Sequence, residues 1–156
     1  MGYNDYELIQ FGGMQLALKV ELKPGEKLLV GNCIITNSDQ RTRLFIEGQA
    51  PILREKDILT PTTADTPAKR VYLAVQIMYI ENNTDVLRRE YFSLINDIVT
   101  AAPSSMAIVD RISNDILTGT LYKALKSAKQ LIQFEQELIE NAASRGASLS
   151  AGDQDR

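Results

Sequence analysis

The sequence predicts an α+β protein, with a small N-terminal antiparallel β unit followed by a C-terminal helical unit of three to four helices. Two rhythms carry that reading. Up to about residue 54, short apolar runs and single alternations fit half-buried strands. From Thr66 onward, apolar residues recur three and four apart, as on a helix face. With 156 residues, 44% of them hydrophobic, the chain can bury a real core yet has room for little more than one domain. It divides into a flexible leader at 1–15, a β-rich unit at 16–60, a helical unit at 61–143 and a disordered tail at 144–156.

The leader ends in Gly12-Gly13 before a second methionine, Met14, and stays outside the fold argument. Leu18, Val20 and Leu22 alternate with Lys19, Glu21 and Lys23 in a first strand. Pro24-Gly25 turns the chain, because proline presets the first turn dihedral and glycine takes the positive φ. Leu28–Val30 and Cys33–Thr36 are extended on either side of Gly31-Asn32. After the polar turn 37–40, Arg41–Glu47 is a strand closed by Gly48, and Pro51 opens a short one at Ile52–Arg54. The expected inward residues are Leu18, Val20, Leu22, Leu29, Ile34, Leu44 and Ile46. Cys33, in an apolar run, reads as a small buried hydrophobe.

In the second half Thr66 is a good helix N-cap and Pro67 fits the first helical position, ahead of Val71, Ala74, Val75 and Met78. Asn82-Asn83 ends that helix. Thr84-Asp85 can cap the next, with Leu87, Tyr91, Leu94, Ile95 and Ile98 on one face. A third helix carries Met106, Val109, Ile112 and Ile116, and Gly119 breaks it. Leu121, Leu125, Ala128, Ile132 and Ile139 then keep a rough heptad spacing with Glu135 as the discordant member, a seam fit for the chain's own helices or for a second copy. The aromatics Tyr72, Tyr79, Tyr91, Phe92 and Phe134 sit in apolar helical stripes and read as core.

Composition narrows the chemistry. There is no His and only one Cys, which removes the commonest general base and any cysteine-rich zinc site. No glycine-rich phosphate loop and no nucleophile elbow are present, so no enzyme, metal or cofactor is expected. The longest strongly apolar stretch, Val71–Ile80, is broken by Gln76 and too short to span a bilayer, and no secretory signal opens the chain. The expected location is the cytoplasm. Seventeen Lys and Arg against twenty Asp and Glu leave a net charge of −3, so any polyanion must be held by a local cluster.

That cluster falls in the β unit. Arg41 and Arg43 share a strand face, Arg54 and Lys56 form a second pair, and Lys19 lies on the first strand. Guanidinium forks on a rigid sheet suit phosphates and base edges. On spacing alone, a solvated face paired with Glu47, Glu55 and Asp57 is the weightier reading of the same residues.

A resemblance shifts that balance. Leu22-Lys23-Pro24-Gly25-Glu26, Gly31-Asn32-Cys33-Ile34-Ile35-Thr36-Asn37, Arg41–Glu47, Ala50-Pro51-Ile52-Leu53-Arg54-Glu55 and the helix start Thr66–Ala74 together resemble the FlbT family of flagellar biosynthesis repressors, over most of 16–141. The resemblance implies a bacterial regulator that acts after transcription, binding the 5′ untranslated region of flagellin mRNA and promoting its degradation. Within it, Gly25-Glu26, Leu28, Gly31, Ala50-Pro51 and Arg54-Glu55 are similar to the CsrA family of dimeric β-strand RNA binders. In that family an arginine before an acidic residue contacts RNA, and Arg54 is the matching position. Leu22 departs from the pattern, since that family has a basic residue there. The stretch between Ala50-Pro51 and Arg54 is also shorter.

The resulting expectation is an RNA-binding homodimer. Arg54 reads a base, with Arg41, Arg43, Lys56 and Lys19 in support, and loss of Arg54 leaves stability nearly unchanged. The competing assignment for Arg54 is an ion pair with Glu47 or Asp57. The competing function is a protein-interaction module whose helices bind flagellin or a flagellin chaperone.

Overall fold

The structure, a computed structural model, describes residues 7–11 and 15–152, with side-chain surroundings for 17–147. The chain separates into two compact units, 1–58 and 59–156. The division thus falls two residues before the sequence-based boundary between 60 and 61.

The first unit holds strands β1 (Glu7–Phe11), β2 (Gln15–Leu22), β3 (Lys27–Val30), β4 (Cys33–Thr36), β5 (Thr42–Glu47) and β6 (Ile52–Arg54). They form two antiparallel three-stranded sheets, ordered β1-β2-β5 and β4-β3-β6. The segment set aside as a leader therefore contributes an edge strand, with Leu8 opposite Leu18 in the backbone register. Lys23-Pro24-Gly25-Glu26 is the expected turn. Gly25 has φ +73°, and the Glu26 N–H donates to the Lys23 carbonyl at 3.1 Å.

The inner faces of the two sheets share one core. Val20, Leu22, Leu28 and Ile52 are buried, and Leu18, Val30, Leu44 and Ile46 pack around them. Two expected inward positions are corrected. The ladder places Leu28 opposite Arg54 and points Leu28 and Val30 inward, and the two-residue period then turns Leu29 to the other face. Ile34 is 64% exposed because β4 is an edge strand, open along its whole length. For the same reason Cys33 is exposed rather than buried.

The second unit holds α1 (Pro67–Glu81), α2 (Arg88–Ala101), α3 (Met106–Leu117) and α4 (Leu121–Gly152). The α1 start is the predicted one: the Thr66 hydroxyl accepts the Lys69 N–H at 3.3 Å and Pro67 is the first helical residue. Asn82, at φ +48°, ends α1 in the left-handed conformation. Buried Gln76 holds the approach to the helix, accepting the Leu59 N–H and donating to the Leu59 carbonyl, both at 2.9 Å. The start of α2 differs from expectation. The Asn83 side chain accepts the Asp85 N–H and the Asp85 carbonyl faces the Arg88 N–H, closing a turn that consumes Thr84-Asp85 and defers the helix to Arg88.

Val71, Val75, Met78, Ile112, Ala124, Leu125, Ala128 and Leu131 form the helical core. Leu121, Leu125 and Ala128 of the seam are thus buried inside the chain, whereas Ile139 is 57% exposed. Met106 is also exposed. So is Phe92, which the apolar stripe had placed in the core: Tyr91 and Ile95 take the buried face, and Phe92 lies one residue round the helix from it. Burial pushes the Tyr91 phenol up to about 12, against the opposing effect of its 2.7 Å hydrogen bond with Ser113. Helix α4 continues to Gly152 through the first part of the segment read as a disordered tail, and 136–147 are exposed. Among the described residues, no helix is long and apolar enough to cross a membrane.

Candidate nucleic-acid interface

The five sequence-selected cations have different fates. Arg54, at the end of β6, turns into the unit: its Nη2 donates at 2.6 Å to the Glu21 carbonyl and at 2.6 Å to Glu26 Oε1. Both side chains of that ion pair are largely buried, at 13% and 20% exposure. The Gly25 turn is what swings Glu26 back toward β6. The neighbouring carboxylate, Glu55, accepts the Lys27 N–H at 3.1 Å. Arg54 is ion-paired, as the competing assignment expected, and Glu26 is a partner that assignment did not name.

A second polar hub lies at Asn37. Its Nδ2 reaches the carbonyls of Leu22, Lys23 and Gln40 at 3.2, 2.8 and 2.8 Å, and its Oδ1 accepts the Thr42 hydroxyl at 3.0 Å. Pro24-Gly25-Glu26, Asn37 and Arg54-Glu55, which carry much of the resemblance, are therefore stitching residues of the β unit.

The outer face of the β1-β2-β5 sheet is different. In the antiparallel ladder Lys19 lies opposite Phe45, and Glu21 opposite Arg43, so these four side chains leave the sheet on the side away from the Val20 core. Phe45 is 52% exposed. Lys19 stands across the ladder from its ring, and Arg43 lies two residues before it on the same strand. Arg43 contacts Glu21 Oε1 through Nε at 3.3 Å and Nη2 at 3.1 Å, with both side chains about half exposed. An exposed pair of this kind is worth about 0–1 kcal/mol, so an incoming phosphate can exchange with the carboxylate.

Arg41 precedes β5, is exposed and makes no ion pair among the described residues. Lys56 is exposed in a 3-10 turn, Glu55–Asp57, beyond the other sheet. The structure thus brings together Lys19 and Arg43, and leaves Arg54 and Lys56 elsewhere. Phe45 is the residue that sequence reasoning missed. The signal was present: if Leu44 and Ile46 point inward, Arg43, Phe45 and Glu47 must point outward.

An exposed aromatic ring beside two cations on a rigid sheet can stack an unpaired base and hold its phosphates. Glu21 and Glu47 interrupt the positive charge, which confines the grip to a small footprint. Among the described residues no cluster of His, Cys, Asp and Glu could hold a metal ion.

Comparison with known proteins gives a consistent picture. The family described as "Flagellar protein FlbT" matches residues 18–139. A Bradyrhizobium diazoefficiens protein named probable flagellum biosynthesis repressor protein FlbT 1 is 60% identical over 124 residues, covering 79% of this chain and 85% of that protein. A Rhodopseudomonas palustris protein named probable flagellum biosynthesis repressor protein FlbT is 49% identical over 124 residues, covering 80% and 98%. The flagellum biosynthesis repressor protein FlbT of Caulobacter vibrioides is 31% identical over 140 residues, covering 88% and 97%. No solved structure matches the chain.

Proposed function

The chain belongs to the FlbT family of flagellar proteins, a family of flagellum biosynthesis repressors, and we propose that it represses by binding RNA. Its target is the 5′ untranslated region of flagellin mRNA, and binding promotes degradation of that message in the cytoplasm. The chain acts as a recognition protein without catalysis of its own. The observation that carries this reading is the open Phe45 ring between Lys19 and Arg43. Unstacked bases in leader RNA are read by stacking and edge contacts, and the cations supply the phosphate grip. Arg41, exposed ahead of β5, extends the footprint.

The test is a fluorescence anisotropy titration of a labelled flagellin leader RNA with the purified protein and no other component. Wild type binds. Phe45→Leu, which keeps the apolar bulk and removes the ring, weakens binding by about fivefold or more. Arg43→Ala weakens binding to all RNAs alike and flattens the salt slope by about one unit. Absence of binding by wild type defeats the RNA reading and moves the protein-interaction module ahead.

A specific observation favours keeping that second reading. Leu138 and Ile139 stay 41% and 57% exposed on α4, past the part of the seam buried inside the chain. Docking of flagellin or its chaperone, or pairing with a second copy as a homodimer, would cover them. Light scattering of the full chain, alone and with flagellin, separates these two from a monomer.

A further inference from the structure

We propose that a second contact for single-stranded RNA lies on α2 of the helical unit, built from Phe92, Arg88, Arg89 and Asn96. This rests on the RNA-binding reading above and adds a surface to which neither the family match nor the sequence reading gave a role. Phe92 is 49% exposed on a helix whose buried residues are Tyr91 and Ile95. Its ring meets the Tyr91 ring edge-on, with centroids 5.4 Å apart and planes at 69°. Tyr91 is itself 1% exposed and hydrogen-bonded to Ser113, so the phenylalanine has a rigid support along one side.

Helix geometry sets the neighbours. Arg88 and Arg89 stand four and three residues before Phe92, and Asn96 stands four after it. These are the offsets that place side chains beside one another, with Cβ atoms about 5–6 Å apart. Arg88, Arg89 and Asn96 are exposed. Arg88 makes only a 3.5 Å pair with Asp85, itself 81% exposed, and Arg89 makes no ion pair among the described residues. The acidic residues of the same helix, Glu90 and Asp97, stand two before and five after the ring and do not face it.

An aromatic platform with two guanidiniums a turn away matches a nucleotide, whose flat base and charged phosphate are separated by about that distance. The ring offers a face to any base, the arginines take consecutive phosphates, and the Asn96 amide reaches a base edge. Charge complementarity selects a polyanion with flat apolar groups over an uncharged apolar segment. A site of this kind is tolerant of sequence, because every base has a π face.

The test uses the full chain, with two labelled probes: a 12-nucleotide oligouridylate and the flagellin leader RNA. Phe92→Leu is expected to weaken oligouridylate binding by about fivefold or more, whereas Phe92→Tyr, which keeps the ring, stays within about twofold of wild type. Arg89→Ala should lower the salt slope by about one unit for both probes. Equal binding by wild type and Phe92→Leu, while Phe45→Leu is impaired, overturns this inference and leaves the RNA reading standing. Failure of wild type to bind either RNA removes both. Binding of a polyglutamate peptide that Phe92→Leu abolishes, with RNA binding unchanged, assigns the surface to protein and overturns the inference as well.

Discussion

In the β unit, the two small sheets gather a core around Val20, Leu22, Leu28 and Ile52, and charged and amide side chains tie the strand ends together. In the helical unit, α4 supplies an apolar stripe from Leu121 to Leu131, the helix meets α1 and α3, and among the described residues the buried polar side chains are Gln76 and Ser105. The difference follows from geometry. A short strand has one inward residue in two, so a sheet of three- to eight-residue strands runs out of apolar surface and uses ionic and amide ties at its rim. A helix of four turns or more gives a whole stripe to its neighbours. Cations in the β unit are therefore of two kinds, those spent on the fold and those left on its outer face. Composition alone does not sort them.

The largest expected effect breaks the helical side of this comparison. Ile112 is fully buried on α3, so Ile112→Ala should cost about 2–5 kcal/mol through lost burial and the cavity left behind. Urea unfolding followed by far-ultraviolet circular dichroism, which is dominated by the helices, measures it. A loss below about 1 kcal/mol would show that the stripe is not what holds the unit.

The next effect sharpens the β side. Arg54→Ala leaves the largely buried Glu26 carboxylate without this ion-pair partner and removes the donor to the more exposed Glu21 carbonyl, a loss of about 1.5–3 kcal/mol. Arg43→Ala, removing a half-exposed pair, should cost no more than about 1 kcal/mol. The two arginines lie on strands of the same unit, so thermal melts of the two variants read the contrast directly. Equal melting temperatures would erase the distinction between stitching and outward-facing cations. Against the expectation that Arg54 can be removed without cost to the fold, its observed partners predict a loss that these melts measure.

That pair of arginines also shows what was legible in the sequence. Strand and helix positions follow from local rules: β3 to β6 start or end within a residue or two of the turn residues that bound them, and the Thr66-Pro67 start of α1 is where capping chemistry puts it. That Arg54 meets Glu26 and the Glu21 carbonyl follows from no local rule, because these lie 28 and 33 residues away in sequence. The sequence reading takes Leu29 as the inward one of two adjacent leucines, and the ladder, which sets Leu28 opposite Arg54, puts Leu28 there instead. The outward face was legible in part: Arg43 and Lys19 were selected for charge. Phe45 lies outside the expected inward set, but a search for charge alone gives an outward aromatic no role. Phe92 differs: the apolar stripe of α2 reads it as core, and the helix turns it outward beside buried Tyr91.

The smallest expected effect concerns Glu135, which breaks the apolar spacing of the α4 seam. Its Oε2 accepts the Ala68 N–H at 3.0 Å, so α4 provides a carboxylate cap for the first turn of α1, where backbone donors lack helical partners and the dipole favours negative charge. Thr66 caps the same turn through the Lys69 N–H, which leaves Ala68 for Glu135. The discordant residue thus joins two helices across 67 positions of sequence. Glu135→Ala should destabilise the helical unit by about 0.5–2 kcal/mol, the usual cost of losing a cap, and Glu135→Gln, which keeps an oxygen acceptor but loses the charge, by less. Added salt should narrow the gap between wild type and Glu135→Gln and leave the deficit of Glu135→Ala largely in place, because screening acts on the charge and not on the missing acceptor. Urea melts of the three proteins at low and high salt make the measurement. If Glu135→Ala is as stable as wild type, the seam tolerates its glutamate for a reason other than the cap, and the helical unit owes still less to polar ties than the β unit does.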